Sequence, residues 1–433
     1  MKKALVVAGT AATGAVGLAL LAPVGLFARE HVSPTARPYD LSSVPVQIGR
    51  AQTYLRQRPS DARVWAELGS DYVEQARLSG DPVYYAKAGG ALRRSLSLDP
   101  HRNTDAFIGM GALAVAQHRF AAGERLARTA QRLDPHRWSA YGVLGDAAIE
   151  LGDYRGAERL LERMLQLRPG VASFTRAAHL LELKGDTRKA FDALHRAAHT
   201  AATPQDVSYC HFRLGELSWN TGRTAQALDE YGRALNATPG NPYALAGQAR
   251  AEAAVGRTDE AVADYTKATS RLPSPQFLLE LGELQLARHQ PQEAARQFEL
   301  LAAQERILHA KGVVDDLTIG RYEADHGDPR SAVRHLKAEW DRRQTVDVAD
   351  ALAWALHRAG KDRDALVRAR WSMRLGGRTA PQVFHLGEIE RSLRMRAAAA
   401  RHLRQALAIN PAFSPLYADQ ARQDLSGSGS SAR

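Results

Sequence analysis

The sequence contains a single cysteine and is poor in β-branched residues, Gly-Asn turns and alternating apolar–polar stretches. Because Cys210 stands alone among 433 residues, no intramolecular disulfide can form. Alanine, leucine and arginine dominate instead, which favours helix throughout. Apolar residues make up 45% and charged residues 24%, so the composition excludes both a disordered chain and a polytopic membrane protein.

The net charge is +11, and only nine of the 58 basic residues are lysine. This arginine excess is typical of a high-GC bacterial genome, such as that of an actinobacterium. Most arginines alternate with acids, as in RLLERMLQLR, and no basic arm or run of five like charges occurs. The pattern argues against a nucleic-acid partner and favours a solvated helical surface. Contact with anionic cell-surface polymers or lipid headgroups fits the charge better than nucleic acid does.

The N-terminus has the pattern of a secretory or anchoring segment. Lys2 and Lys3 precede an uncharged stretch that continues to Ala28, and a proline-rich linker follows over residues 29–43. Residues 4–28 are long enough to cross a bilayer as an uncleaved anchor, but their many glycines and alanines also suit a cleaved signal peptide. Either reading predicts that the rest of the chain lies outside the cytoplasmic membrane, secreted or anchored.

Prolines recur with a regular period along the chain. Between Pro100 and Pro273 they are separated by 35, 34, 35, 35 and 34 residues, and four further periods lead to Pro411. Within each period a Leu-Gly pair, a Gly-Asp or Gly-Arg turn, a small residue and a large residue recur, as in YGVLGDAAIELGDYRGAERLLERMLQLRP. This spacing predicts two helices of about a dozen residues joined by a short turn, with proline ending the second helix.

These residues resemble the tetratricopeptide repeat family over residues 60–411. The resemblance implies an all-α, right-handed superhelical solenoid of about ten helix-turn-helix repeats, with the least regular sequence in the eighth and ninth. The solenoid is expected to span residues 44–425. Residues 44–58 form an unpaired first helix, residues 412–425 a C-terminal capping helix, and residues 426–433 a disordered tail.

In this family the first helix of each repeat lines a concave surface that binds extended peptides or helices of partner proteins. Aromatic and arginine side chains on such a surface are typical interface anchors. The resemblance therefore implies a partner-binding set of Tyr209, Phe212, Arg213, Glu216, Trp219, Asn220, Arg250, Trp354 and Arg391. The alternative for Trp219 and Trp354 is that they pack between repeats.

The sequence offers little support for catalysis or metal binding. The sequence has no phosphate-binding loop, nucleophile elbow, kinase motif or His-Glu-x-x-His, and the repeats leave no contiguous segment for a catalytic domain. His195 and His199 share one helix face, but without a second paired motif they predict solvent-exposed histidines rather than a metal site. We therefore expect no enzyme activity and no cofactor.

The leading hypothesis is a non-catalytic scaffold that binds a protein or peptide in its groove outside the cytoplasmic membrane. Two alternatives remain open at this point. One is a metal- or envelope-polymer-associated accessory protein that uses its histidines or its basic face. The other is a cytosolic regulator whose N-terminus only resembles an export segment.

The N-terminal interpretation predicts that residues 1–45 direct export, since two lysines precede an uninterrupted uncharged segment. Fused to a reporter enzyme that is active only outside the cytoplasm, they should give reporter activity. A stable fusion protein without reporter activity would contradict this prediction.

Overall fold

The structure is a computed structural model and describes residues 44–429. All regular elements in this range are α-helices. In chain order they are α1 Val44–Gln57, α2 Ala62–Ser79, α3 Val83–Leu98, α4 Thr104–Ala116, α5 Phe120–Leu133, α6 Trp138–Leu151, α7 Tyr154–Leu167, α8 Val171–Leu183, α9 Thr187–Thr200, α10 Pro204–Asn220, α11 Thr224–Ala237, α12 Pro242–Ala254, α13 Thr258–Arg271, α14 Pro275–Ala287, α15 Pro291–Ala310, α16 Asp316–His326, α17 Pro329–Arg342, α18 Val346–Arg358, α19 Asp362–Ser372, α20 Ala380–Ser392, α21 Arg396–Ile409 and α22 Tyr417–Gly429.

Ten consecutive helix pairs, α2/α3 to α20/α21, form an array in which each pair packs on the next. We number them units 1 to 10. The predicted all-helical solenoid is therefore confirmed, and units 8 and 9, whose sequences are least regular, pair like the others. Helix α1 precedes unit 1, and α22 reaches Gly429, four residues beyond the predicted capping helix.

The predicted export segment and linker, residues 1–28 and 29–43, lie outside the described residues, as do the last four residues of the chain. Within residues 44–429, no helix combines the length and the apolar character that are needed to span a bilayer.

The helix pairs are held together by small residues that face large ones. In unit 3, Gly145 on the first helix lies against Leu161 on the second, and Ala157 is fully buried beside them. In unit 5, Gly215 faces the ring of Tyr231 in the same way. A side chain at either glycine would overlap its large neighbour, so the Leu-Gly pattern of the sequence follows from close helix packing.

Successive turns of the superhelix are in direct contact. The backbone N–H of Val346 donates to the hydroxyl of Tyr154 at 3.0 Å, across 192 positions of sequence. The N–H of Gly377 donates to the carbonyl of Leu183 at 3.1 Å. The side-chain amide of Asn410 donates to the carbonyl oxygen of Trp219 at 2.9 Å.

Each of these inter-turn contacts joins two kinds of site. One is the turn between the two helices of a unit, and the other is the junction between the units that stand five and six places later in the array. At the N-terminal end, Gly80 in the turn of unit 1 lies against the side chain of Leu272 between units 6 and 7, and a Cβ on this glycine would overlap that side chain. In the middle, Arg343 forms ion pairs with Glu150 and Glu339, and its guanidinium lies 5.0 Å from the ring centre of Phe120. The regular recurrence shows that one superhelical turn takes between five and six units.

Two turn glycines provide a test of the inter-turn contact. Gly152 and Gly256 occupy the same position of their units, with φ of 80° and 82°. A Cβ on Gly152 would overlap the carbonyl oxygen of Gln344 in the next superhelical turn, whereas a Cβ on Gly256 would meet nothing within 4 Å.

We expect both Gly152→Ala and Gly256→Ala to cost about 1 kcal/mol because each places alanine in the left-handed region. Gly152→Ala should cost about 1–3 kcal/mol more, since it also separates the stacked turns. Urea unfolding followed by circular dichroism measures both values. Equal destabilisation by the two changes would mean that the turns are not stacked in solution.

Candidate functional site

The first helices of neighbouring units are joined by buried ion pairs along the inner face of the superhelix. Arg176 donates two hydrogen bonds of 2.9 Å to the carboxylate of Asp146. One unit further on, Arg213 pairs with Glu182 at 3.3 Å, and Asn220 donates to the same carboxylate at 2.7 Å. Glu216, Arg250 and Glu280 form the next such group. We call these ion-paired groups together the inner ladder.

Arg250 forms the last rung of the inner ladder and lies between two carboxylates. Its guanidinium nitrogens are 3.4 Å from Glu216 and 3.5 Å from Glu280. Burial disfavours its charge, but the two carboxylates outweigh burial and raise the pKa of Arg250 above its ordinary value. Both distances exceed the 2.7–2.9 Å typical of charge-assisted hydrogen bonds, so donors of Arg250 can be recruited by another acceptor.

The two carboxylates are themselves held by tyrosines from the second helices. Tyr231 donates to Glu216 at 2.5 Å, and Tyr265 donates to Glu280 at 2.8 Å. Burial raises the pKa of each tyrosine well above its ordinary value, so both hydroxyls keep their protons and serve as donors. This arrangement fixes the carboxylates on either side of Arg250 and leaves the cation between them.

Most of the predicted partner-binding residues meet on this inner face, in units 5 and 6. Tyr209 and Phe212 are packed with Tyr231 and Tyr243, and the Phe212 and Tyr243 rings are 5.9 Å apart. Tyr209, Phe212, Arg213, Glu216 and Trp219 are at most 7% exposed. Their side chains are therefore enclosed by the stacked turns, and a partner could touch them only at the edges of the cavities described below.

Trp354 and Arg391 lie apart from this group, in units 9 and 10. The indole N–H of Trp354 donates to Asp325 at 2.9 Å, and its ring stacks on His385 at 4.4 Å. Trp354 is only 3% exposed, so it packs between repeats. Arg391 is half exposed and forms a 2.7 Å ion pair with Glu388.

A cavity of about 320 Å³ opens where units 5 to 7 face the C-terminal units across the superhelix. We call it the C-terminal cavity. Trp219, Asn220 and Arg250 line one side, so it includes three of the predicted residues. Its walls also include Ala254, Tyr265, Glu280, Leu284 and Arg288 from units 6 and 7, and Pro411, Phe413, Pro415, Asp419 and Arg422 from the C-terminal end of the array.

A second cavity, of about 120 Å³, lies on the other side of Arg250 and is mainly apolar. Val73, Ala76, Phe212 and Tyr243 contribute to its wall, together with the edge of Arg250. Its smaller volume is below the range of about 300–1,000 Å³ that ligand pockets commonly have, whereas the C-terminal cavity lies at the lower end of that range.

Sequence reasoning missed the far wall of the C-terminal cavity. Pro411, Phe413 and Pro415 follow unit 10, where the sequence predicted only a repeat end and a capping helix. They face Trp219 because Asn410 hydrogen-bonds to the carbonyl oxygen of Trp219 across 191 positions. No local pattern in the sequence signals that contact.

The histidine pair and the cysteine take no part in the inner face. Among the described residues, no three histidine, cysteine, aspartate or glutamate side chains are grouped in a way that could hold a metal ion. His195 stacks on Phe191 at 6.4 Å within its own helix. Cys210 is fully buried, and burial raises the pKa of its thiol to about 12, so it is an unreactive packing residue.

Two segments, residues 108–172 and 247–307, match the model of a tetratricopeptide repeat family. They coincide with units 2–3 and 6–7, where the Leu-Gly, turn and small-residue pattern is clear. These two segments therefore resemble tetratricopeptide repeats in sequence, and the helix pairs that they form are like the other pairs of the array.

The array is similar to cellulose synthase 1 operon protein C of Komagataeibacter xylinus, with 27% identity over 178 residues. It is also 28% identical over 198 residues to cellulose synthase operon protein C of Komagataeibacter sucrofermentans. The matches cover 39% and 42% of this chain but only 13% and 15% of those relatives.

Among solved structures, the array is similar to human IFIT1, solved as a dimer with PPP-AAAA, at a TM-score of 0.46 and 13% identity. That match covers 90% of this chain and 94% of the other. A chain of the APC/C hetero-tetramer Cut9–Hcn1 gives a TM-score of 0.41 and 12% identity, covering 89% and 90%. Similarity at this level concerns the helical-pair architecture alone.

A buried carboxyl group in unit 7 makes the stability of the array depend on pH. Glu283 is 1% exposed, and one of its carboxylate oxygens lies 3.3 Å from a ring nitrogen of His326. Burial, and then the nearby carboxylates of Asp325 and Glu280, raise the pKa of Glu283 well above its ordinary value of 4.5. The folded protein therefore keeps a proton that the unfolded chain releases above that pH.

Because of this difference in proton binding, the contribution of Glu283 to the free energy of unfolding should fall as pH rises from about 4.5 towards its folded-state pKa. Glu283→Gln removes the titration. It should make the variant increasingly more stable than wild type between pH 5 and pH 8, by at most about 1.4 kcal/mol per pH unit. Thermal unfolding across that range measures the difference.

The control is Glu299→Gln, which removes an exposed carboxyl group from α15. Its stability should parallel that of wild type, because water solvates that group in both states. If the difference in stability between Glu283→Gln and wild type stayed constant from pH 5 to pH 8, Glu283 would not titrate differently in the folded and unfolded states.

Proposed function

We propose that this chain is a non-catalytic scaffold that binds an extended peptide segment of a partner protein in the C-terminal cavity. Arrays of tetratricopeptide repeats bind proteins or peptides in general, which supports the class of function. The location of the site is supported by one observation: Arg250, whose side chain is 16% exposed, lies at the edge of an apolar cleft and is 3.4 and 3.5 Å from its two carboxylate partners.

The chemistry of the cavity suits a peptide backbone with apolar side chains. Leu284, Phe413 and two prolines supply apolar walls, while Asn220 and Arg250 supply donors for carbonyl or carboxylate oxygens. A volume of about 320 Å³ accommodates a few residues of an extended chain rather than a folded domain. Arg288 and Arg422 at the rim are already paired with Asp259 and Asp419, so the rim favours neither sign of charge in the bound segment.

The setting of this function outside the cytoplasmic membrane rests on the N-terminal sequence. Two lysines followed by an uncharged stretch to Ala28 support export, either as a secreted protein or as one held by an N-terminal anchor. We propose that the array meets its partner there.

A second candidate function follows from the two relatives whose names refer to cellulose synthase operons. The scaffold could serve an assembly that makes or exports a polysaccharide of the cell envelope. Crosslinking in the native cell followed by purification of the tagged chain should then recover a glycosyltransferase. Recovery of partners without any link to polysaccharide synthesis would remove this candidate.

Peptide binding in the C-terminal cavity can be tested by filling the cavity. Peptides selected from a displayed random library against the full chain should bind with measurable affinity in a fluorescence polarisation assay. Ala254→Phe places a ring among the lining residues and should weaken binding at least tenfold by occupying the cavity.

Ala295→Phe is the matched control, because Ala295 is exposed on α15 and lines neither cavity. It should leave binding unchanged, and circular dichroism should show that both variants are folded. If the two variants bind the selected peptides equally well, the C-terminal cavity is not the binding site.

A further inference from the structure

The positive charge of the chain is concentrated in its last two units. Residues 365–418 contain nine arginines and only two carboxylates, Glu388 and Glu390. Residues 224–364, by contrast, contain 18 basic and 22 acidic residues. One eighth of the chain therefore carries a net charge of +7, nearly as much as the +8 of the first 223 residues, and it lies directly beside a segment with a net negative charge.

The two carboxylates of this basic segment do not neutralise its surface. Glu388 and Glu390 are 1% and 2% exposed. Glu388 is paired with Arg391 at 2.7 Å, and Glu390 contacts His402 at 2.6 Å. Both carboxylates are therefore buried and paired, and they do not neutralise the arginines that face solvent on the second helices.

Most second helices elsewhere in the array carry their own acids, although α3 has none. Arg128 pairs with Glu124 on α5, and Arg233 pairs with Asp229 on α11. Helix α21 has no carboxylate at all, and α19 has carboxylates only in its first turn. Five exposed arginines of this region form no ion pair within residues 44–429, and we call them the basic surface: Arg370, Arg394, Arg396, Arg401 and Arg404.

We propose that the basic surface binds a lipid bilayer that contains anionic phospholipids. Guanidinium groups bind phosphate oxygens through paired hydrogen bonds, and several arginines facing one way add their attraction to an anionic surface. The exposed residues beside the arginines of α21 include the alanines Ala397 and Ala408, and the longer arginine side chains extend beyond them towards a flat surface.

Two further observations favour a membrane over a long polyanion such as a nucleic acid. The basic surface is confined to the end of the array, and a polymer that continued along the array would meet the acidic segment 224–364. Val367, 66% exposed, lies one helical turn before Arg370, where it can enter the lipid interface while the arginine stays at the headgroups.

The test is sedimentation of the full chain with vesicles. Vesicles of phosphatidylcholine alone measure any binding through the N-terminal segment, and vesicles with about 30% phosphatidylglycerol add the anionic headgroups. We expect clearly stronger binding to the anionic vesicles, and the excess should disappear at about 1 M salt, where charges are screened within about 3 Å.

The test variant replaces Arg394, Arg396, Arg401 and Arg404 together by glutamine. It should lose the excess binding to anionic vesicles, by roughly fivefold for each arginine that contacts the surface. The matched control replaces four exposed arginines on the second helices of units 2 to 4 by glutamine: Arg125, Arg155, Arg159 and Arg188.

The control removes the same charge and should keep most of the excess binding. Equal loss in the two variants would overturn the proposal in favour of a general charge effect, and so would equal binding of wild type to the two kinds of vesicle. Tighter binding to a DNA duplex than to anionic vesicles, lost in the test variant, would assign the basic surface to nucleic acid instead.

Discussion

The contact between one superhelical turn and the next is the constraint on which the rest of this structure depends. In a simple solenoid each repeat touches only its neighbours, so stability is a sum of local terms. Here Tyr154, Leu183 and Trp219 each hydrogen-bond to a segment about 190 residues further along the chain. These bonds couple the N-terminal half of the array to the C-terminal half, so the two halves should unfold more cooperatively than in a simple solenoid.

Stacking of the turns also explains why so many charged groups are buried on the inner face. Arg213 and Glu216 would be solvated in an open groove, but here they are 1% and 2% exposed. A buried charge is tolerated only when it is paired and hydrogen-bonded, and the inner ladder supplies these partners from the next unit. Since each rung joins neighbouring first helices, the ladder also helps to fix how one unit is oriented on the next.

The two proposed binding surfaces lie on different faces of the last units and would be used independently. The C-terminal cavity opens inward between α12, α14 and the segment around Phe413, and it recognises an extended chain by shape and by a few donors. The basic surface belongs to the outer helices α19 and α21 and to the turn before α21, and it depends on accumulated charge. An array held at a membrane by its outer face would still present its inner cavity to a partner.

The sequence by itself determined the helical pairs, their period and the residues that face inward. Gly145, Ala157 and the turn glycines could be assigned because they serve contacts within about 35 residues, and Arg213 and Arg250 followed from the same register. Only the tertiary structure decided that Tyr209 and Phe212 are enclosed, that Trp354 packs against His385, and that Pro411 and Phe413 face Trp219. The physical reason is that the curvature of a superhelix accumulates from a small rotation at each junction. A difference of a few degrees per unit, which no local pattern records, decides whether the turns stack or leave an open groove.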